Sequence, residues 1–258
     1  MWWIRFLETY GRSAITFFQF YGRFTIMAVQ SFLAIRKVHI YHPQIVEEFI
    51  VIGRRSFPIV ATTAIFMGLV LGVQIGTQMG SMTAKYVEGG LVLRAILLEM
   101  GPVITAVVIA GRAGAGIASE LGSMVVTEQV DALRTMAISP IDILVMPRLV
   151  AGIFAIPALT IFSIAFSVFA GFISTKFAIN LDYAGFVKGM RMAFHGHDVF
   201  ISLFKSLIFG IIVVLASCFW GLQSSKGARG VGNATTSAVV SSIIAIFVLD
   251  YIISALLL

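Results

Sequence analysis

Residues 57–80 read FPIVATTAIFMGLVLGVQIGTQMG, an apolar run that contains no charged side chain. A helix needs about 20 residues of this kind to cross the hydrocarbon core of a bilayer. Only helices and closed barrels satisfy their backbone polar groups there, and the length of the run favours a helix. Similar runs follow at roughly 91–111, 149–175, 199–220 and 237–258. The chain is therefore predicted to be an all-α integral membrane protein with about five transmembrane helices.

The composition supports this prediction. Of the 258 residues, 59% are hydrophobic and 12% are charged, and the mean hydropathy is +1.00. Soluble domains carry about 25% charged residues. The net charge of +6 does not indicate nucleic-acid binding, because the basic residues lie between apolar runs instead of clustering on a soluble surface. Cys218 is the only cysteine, which excludes an intramolecular disulfide and a cysteine metal cage.

The first 55 residues form a separate segment. Aromatic and polar residues alternate over residues 3–35 at three- and four-residue steps, which predicts an amphipathic helix lying in the headgroup plane. A core helix facing a soluble layer is the alternative. The start, MWWIRFLETYGR, lacks a cleavage site for a signal peptide. We divide the chain into residues 1–55, the interfacial helix and its connection, and residues 56–258, the transmembrane domain.

Basic residues predict the orientation. With the amino terminus inside, the inner segments hold twelve Lys and Arg residues and the outer segments hold four. Lys and Arg are retained on the cytoplasmic side. The amino terminus is therefore predicted to be cytoplasmic, and five crossings place the carboxyl terminus on the far side.

The first crossing has two distinct faces. Gly68, Gly72, Gly76 and Gly80 recur every four residues, so another backbone can approach closely; ordinary helix packing without functional meaning is an equally good interpretation. The other face mixes flexible thioethers with amides, which suits an adaptable pocket for an amphiphile, although a plain helix interface uses similar residues. Its members are Leu71, Gln74, Ile75, Gln78, Met79 and Met82.

Charged residues inside crossings are costly and are therefore functional candidates. Glu99 precedes Met100-Gly101-Pro102, and the proline removes a backbone donor and leaves a carbonyl free for a polar partner. A pair between Lys205 and Asp250 is one possible arrangement. Arg94 completes this group of four.

The inner connection at about 112–147 contains a predicted short helix. Glu128 and Gln129 would lie in its first turn, Pro140 comes just after its end, and Val130 and Leu133 mark an apolar side. The segment does not match a phosphate loop, because no GK[ST] follows its glycines. A helix of this kind can dock into a soluble motor protein or simply lie at the membrane surface.

No catalytic or metal-binding residue is predicted. The HGHD stretch, residues 195–198, offers two imidazoles and one carboxylate, and a solvated outer loop explains it better than a metal site. The chain lacks a GxSxG elbow and an HExxH motif. We therefore expect no enzyme activity and no cofactor in this chain.

Five stretches closely resemble the MlaE-type permease family, the membrane subunits of lipid transporters that work with MCE-domain proteins. The resemblance covers most of the chain after about residue 55 and is most specific at TEQVDALRTMAISP. Some members carry an arginine immediately before the glutamate at position 99, whereas this chain has Leu98. The stretches are LEMGPVITAVVIAGRAGAGIASELGSMVVTEQVDALRTMAISP at 98–140, FMGLVLGVQ at 66–74, MPRLVAG at 146–152, FKSLIFG at 204–210 and VLDYIISALL at 248–257.

The resemblance implies an ATP-driven phospholipid transporter of the ABC type. Its permease would be a homodimer in the bacterial inner membrane, bound to cytoplasmic ATPase subunits that hold ATP and Mg, with a periplasmic ring of MCE-domain proteins. It would move phospholipid between the inner and outer membranes and maintain outer-membrane lipid asymmetry.

The resemblance also implies roles for individual residues. ATPase coupling would involve Glu128, Gln129, Asp131, Leu133 and Met136. The lipid cavity would be lined by Leu71, Ile75, Gln78, Met79, Met82, Leu98 and Glu99, with Lys205 and Asp250 as further intramembrane polar residues.

Two other classes of protein compete with this interpretation. A secondary transporter or channel without an ATPase partner usually shows repeated halves and polar crossings, whereas this sequence shows no repeat, few intramembrane charges and an odd number of crossings. A purely structural anchor would explain the glycine ridge but not the short helix at residues 128–136.

Overall fold

The computed structural model describes residues 2–78 and 85–257, and within these ranges the chain is helical and contains no strand. Three π-helical turns interrupt the helices, at Ile96–Met100, Ala110–Gly114 and Ile141–Val145. Met79, Gly80 and Met82 lie outside the described residues. The helices are α1 Trp2–Ala34, α2 His42–Gln78, α3 Val87–Ala95, α4 Gly101–Ile109, α5 Ala115–Val126, α6 Gln129–Thr135, α7 Met146–Ile179, α8 Tyr183–Ala193, α9 Gly196–Leu222 and α10 Ala228–Leu257.

The predicted fold class is confirmed. Within the described part of the chain, five helical stretches are long and apolar enough to cross a membrane. Each corresponds to one of the predicted apolar runs and is longer than that run. They are His42–Gln78, Val87–Val126, Ile141–Ile179, Gly196–Leu222 and Ala228–Leu257.

The helix boundaries differ from the predicted ones at two places. α2 begins at His42, so the predicted division between residues 55 and 56 falls inside a continuous helix. The second crossing continues to Val126, which shortens the inner connection from the predicted 112–147 to about 127–140. The charged residues Arg and Glu have helix propensities as good as that of Leu. They therefore end the apolar run but do not end the helix.

α2 and α7 pack closely along the glycine ridge. A methyl group at Gly68 would lie 2.0 Å from the backbone oxygen of Ser167, and one at Gly72 would lie 2.7 Å from that of Gly171. The hydroxyl of Ser167 donates to the carbonyl of Ala64 at 2.8 Å, so the two helices are also hydrogen-bonded. At Gly68 and Gly72 the ridge therefore serves helix packing within one protomer.

α1 is helical over the predicted segment. The rings of Phe20 and Phe24 pack edge-on against Phe219 of α9, with centroids 5.0 and 5.3 Å apart. Phe18 and Leu33 on the same helix are exposed. One face of α1 thus contacts the bundle while other apolar side chains remain uncovered. Its position in the headgroup plane stays a prediction.

Candidate functional site

The ammonium group of Lys205 is the centre of a polar cluster inside the bundle. Lys205 lies on α9 and its side chain is fully buried. Its Nζ donates to Glu99 Oε1 at 3.0 Å and to Ser254 Oγ at 2.7 Å. Asp250 Oδ1 lies 2.7 Å from the same nitrogen but outside hydrogen-bond geometry, so this contact is an ion pair only. The structure therefore brings Glu99, Lys205 and Asp250 together.

The fourth partner of Lys205 is a backbone carbonyl. Nζ donates to the oxygen of Leu98 at 2.8 Å. In a regular α-helix the N–H of residue 102 would bond this oxygen, and Pro102 has no N–H. The π-helical turn Ile96–Met100 ends directly before this proline. The prediction that the proline leaves a carbonyl for a polar partner is confirmed.

The cluster holds one cation against two carboxylates. Glu99 is 39% exposed and Asp250 is 16% exposed, whereas Lys205 is covered. The Ser254 hydroxyl also donates to Glu99 Oε1, at 3.1 Å. Charges at such depth are tolerated only when they are paired and hydrogen-bonded. The arrangement leaves Glu99 as the member that faces accessible space.

The predicted cavity-lining residues lie on both sides of one π-helical turn. Leu71 and Ile75 are half-buried against an apolar cluster that includes Ile96, whereas Glu99 of the same turn faces Lys205. Gln78 at the end of α2 is exposed. Contact of these residues with lipid stays a prediction, and Met79 and Met82 lie outside the described residues.

The predicted coupling helix exists as α6. It is bracketed by two non-glycine residues in the left-handed conformation, Glu128 with φ 60° and Ala137 with φ 59°. The amide of Ile138 donates to the carbonyl of Leu133 at 3.0 Å, which closes the helix in the manner of a Schellman motif. Left-handed backbone is unfavourable for side chains with a Cβ. Segments with this kind of strain concentrate at functional sites.

The two faces of α6 have different environments. Val130 is buried in the main core cluster and Leu133 is half-buried against it. Met136 is 65% exposed. The predicted coupling residues therefore divide: Leu133 packs inward, and the others face outward. The outward-facing residues are Glu128, Gln129, Asp131 and Met136.

Arg148 and Glu88 are buried charged residues that were not predicted as site residues. Arg148 at the start of α7 contacts Glu48 of α2 and Glu120 of α5. Glu88 of α3 is fully buried against Gly76, and among the described residues neither carboxylate oxygen has a hydrogen-bond partner. Both residues lie beyond the ends of the predicted apolar runs. A charged residue at the edge of an apolar run is typical of a solvated connection, so the sequence carries no signal that distinguishes these two.

The prediction that the HGHD stretch is a solvated loop is wrong for its last residues, because α9 begins at Gly196 and Asp198 is buried. Asp198 Oδ2 lies 3.4 Å from Arg94 Nε and 4.0 Å from His195 Nδ1. Within residues 2–78 and 85–257, no group of three or more His, Cys, Asp or Glu side chains is placed to hold a metal ion. Asp198 serves as a counter-charge for Arg94.

A helical bundle with five candidate crossings and a buried ion-pair cluster around Lys205 defines a multi-pass membrane protein. The family model described as Permease MlaE matches residues 45–256. The chain belongs to the MlaE permease family.

Similar proteins agree with this assignment. The chain is 37% identical to a probable ABC transporter permease protein of Rickettsia typhi over 96% of this chain and 95% of the relative. It is 39% identical to a probable ABC transporter permease protein of Synechocystis over 88% and 87% of the two chains. A third relative is the chloroplast protein TRIGALACTOSYLDIACYLGLYCEROL 1 of Arabidopsis thaliana, 33% identical over 89% of this chain and 66% of the relative. The chain is thus the permease component of an ABC-type transporter.

Proposed function

We propose that the chain is the permease of an ATP-driven phospholipid transporter that moves lipid between the inner and outer membranes and maintains outer-membrane lipid asymmetry. It would act as a homodimer in a bacterial inner membrane, with its amino terminus in the cytoplasm. Cytoplasmic ATPase subunits, which bind ATP and Mg, and a periplasmic MCE-domain ring would complete the transporter.

The observation that carries the lipid assignment is a partly exposed charged pair inside an otherwise apolar bundle. Glu99 is 39% exposed and its charge is balanced by Lys205. Leu71 and Ile75 of α2 lie on the other side of the same helical turn, half-buried against the cluster that contains Ile96. An amphiphile needs a polar group for its headgroup and apolar side chains for its acyl chains, and this turn has both. A relative named for trigalactosyldiacylglycerol, a glycerolipid, supports a diacyl lipid as the substrate class.

The coupling role of α6 is supported by its exposed face. Val130 fixes the helix to the core, so a force on Met136 and its neighbours would be transmitted to the bundle. ATP-driven closure of the motor subunits would push on α6 and change the packing of α2 against α7. The cavity would narrow, and lipid would pass to or from the MCE ring.

A pull-down from native membranes tests these assignments. The tagged chain should copurify with an ATPase and an MCE-domain protein, and mass spectrometry of the extracted lipid should identify phospholipid. Recovery of the chain without an ATPase would contradict the proposal and favour a transporter that works without a motor.

A matched pair of variants tests the coupling face. Met136 and Met192 are nearly equally exposed, at 65% and 64%, and lie on α6 and on α8 respectively. Met136→Asp should abolish ATPase copurification, because it places a charge on the proposed docking surface. Met192→Asp should leave it unchanged. Equal ATPase recovery with both variants would remove α6 from the interface.

A further inference from the structure

Arg148 connects three helices at the inner end of the bundle. The residue is 3% exposed. Its Nη1 donates to the carbonyl of Leu144 and its Nη2 to Glu120 Oε1, both at 2.8 Å. Its Nε lies 3.0 Å from Glu48 Oε1, although the angle is too poor for a hydrogen bond. One guanidinium thus holds two carboxylates from different helices.

The two carboxylates belong to different parts of the bundle. Glu48 lies near the inner end of α2, which packs mainly on α7. Glu120 lies on α5, which packs on α9 and α10 and leads directly into α6. The side chain of Arg148 therefore connects the α2–α7 pair to the helix that carries the proposed coupling segment.

The electrostatics resist separation of these groups. Arg148 is buried and the side chain of Glu48 is 18% exposed, so separating these two groups leaves an uncompensated charge. Glu120 is 52% exposed and can be solvated, so the cost of separating it from Arg148 falls on the buried guanidinium. Displacing the end of α5 therefore favours displacement of α7 and α2 with it. Because α2 is one helix from Glu48 to Leu71 and Ile75, with Pro58 inside it, a shift at its inner end reaches the proposed lipid-facing part.

We infer that Arg148 is a positioning residue that transmits movement of α5 and α6 to α2. Glu120 is its partner on the input side and Glu48 is its partner on the output side. The inference rests on the proposed function, because it presumes that a motor moves α6. A static structural role for the same contacts predicts loss of stability alone, whereas transmission predicts loss of nucleotide-dependent movement in a complex that still assembles.

The test uses the full chain in complex with its ATPase. Glu48→Gln and Glu120→Gln each remove one carboxylate charge that pairs with Arg148 while keeping the shape of the side chain. Glu47→Gln is the matched control, since Glu47 is the exposed neighbour of Glu48 on the same helix. A reporter cysteine replaces Thr77, an exposed residue near the outer end of α2, and the buried native Cys218 is protected from labelling.

The measurement is the ratio of cysteine-labelling rates with and without ATP and vanadate. We expect a nucleotide-dependent ratio in the parent and in Glu47→Gln. In Glu48→Gln and Glu120→Gln the nucleotide effect should fall by about two- to thirtyfold, with normal ATPase copurification. Arg148→Lys keeps a cation that reaches only one carboxylate at a time. Its nucleotide effect on the labelling rate should therefore lie between that of the parent and those of the two glutamine variants.

Two results would overturn the inference. The first is an unchanged nucleotide effect in both Glu48→Gln and Glu120→Gln. The second is the absence of any nucleotide effect in the parent, which means that α2 does not move. Phospholipid transport by the parent complex is measured separately, so failure of the connection is distinguishable from failure of the proposed function.

Discussion

The ammonium of Lys205 donates a hydrogen bond to the carbonyl of Leu98, at 2.8 Å, where Pro102 has no backbone N–H to offer. The ammonium therefore replaces the missing backbone donor, and the carbonyl provides an acceptor for the buried cation. The same nitrogen neutralises Glu99 and Asp250. Three separate stretches of the sequence thus meet at a single atom.

Removal of the Lys205 charge should be severely destabilising. Lys205→Met removes the cation that neutralises Glu99 and Asp250 and the donor to the Leu98 carbonyl, and loss of one partner of a buried ion pair costs about 3–5 kcal/mol. We expect a lower thermal midpoint in detergent, measured by size-exclusion chromatography. The triple variant with Glu99→Gln and Asp250→Asn should recover part of the loss, because it removes the uncompensated charges.

Lys37 provides the control for Lys205. Its ammonium pairs with Asp142 at 2.5 Å, but its side chain is 53% exposed. The hydrogen bond and charge of Asp142 raise the pKa of Lys37 above its usual value, so the pair is intact at neutral pH and its contribution is lost only as pH rises above about 10. Lys37→Met should hardly change the thermal midpoint at pH 7. Equal losses for the two lysine variants would contradict the central role of the Lys205 cluster.

Restoring the missing backbone donor should affect transport more than stability. Pro102→Ala supplies an N–H for the Leu98 carbonyl and favours a regular α-helix in place of the π-helical turn Ile96–Met100. Glu99 would then change its direction relative to Lys205. We expect an unchanged or higher thermal midpoint together with slower lipid transport. Pro157→Ala in α7 is the control, and normal transport by Pro102→Ala would refute this role of the turn.

Close packing of α2 on α7 predicts a strong effect at Gly68. In Gly68→Ala the new methyl would meet the Ser167 backbone oxygen at 2.0 Å, and overpacking of this kind typically costs about 1–3 kcal/mol. Gly53→Ala on the same helix is the control, because its methyl would lie 4.0 Å from the nearest atom. The thermal midpoint of Gly68→Ala should be clearly lower than that of Gly53→Ala. Equal midpoints would show that α7 does not approach α2 this closely at Gly68.

Relief of strain at the end of α6 should stabilise that helix locally. Ala137→Gly removes the Cβ from a residue with φ 59°, a conformation that costs about 1–2 kcal/mol with a side chain. Hydrogen exchange of the α6 amides should slow. Ala132→Gly, inside the same helix, should speed exchange, since glycine in a helix interior costs about 1 kcal/mol relative to alanine. Faster exchange in both variants would argue against the left-handed closure.

The number of crossings was predictable because apolar length alone selects membrane helices. Pro102 was informative for a similar reason, since the missing donor identifies one specific carbonyl, that of Leu98. The ends of the helices were not predictable. Arg54 and Arg55 mark the edge of an apolar run, yet α2 continues through them because arginine is a good helix former.

The inner charge cluster shows a second limit of sequence analysis. Glu48, Glu120 and Arg148 lie far apart in the sequence and each looks like an ordinary residue at a membrane edge. Only the packing of α2, α5 and α7 brings them together. Leu133 shows the same limit on a smaller scale: helical periodicity placed it on the apolar side of α6, and tertiary packing decided that this side faces the core.

The most direct test of the central claim is ATP-dependent transfer of labelled phospholipid by the intact complex in proteoliposomes. Native mass spectrometry of the same preparation would report the bound lipid. We expect transfer that requires ATP hydrolysis and falls when Glu99 is changed to Gln. Equal transfer without ATP, or hydrolysis that moves no phospholipid, would contradict this expectation.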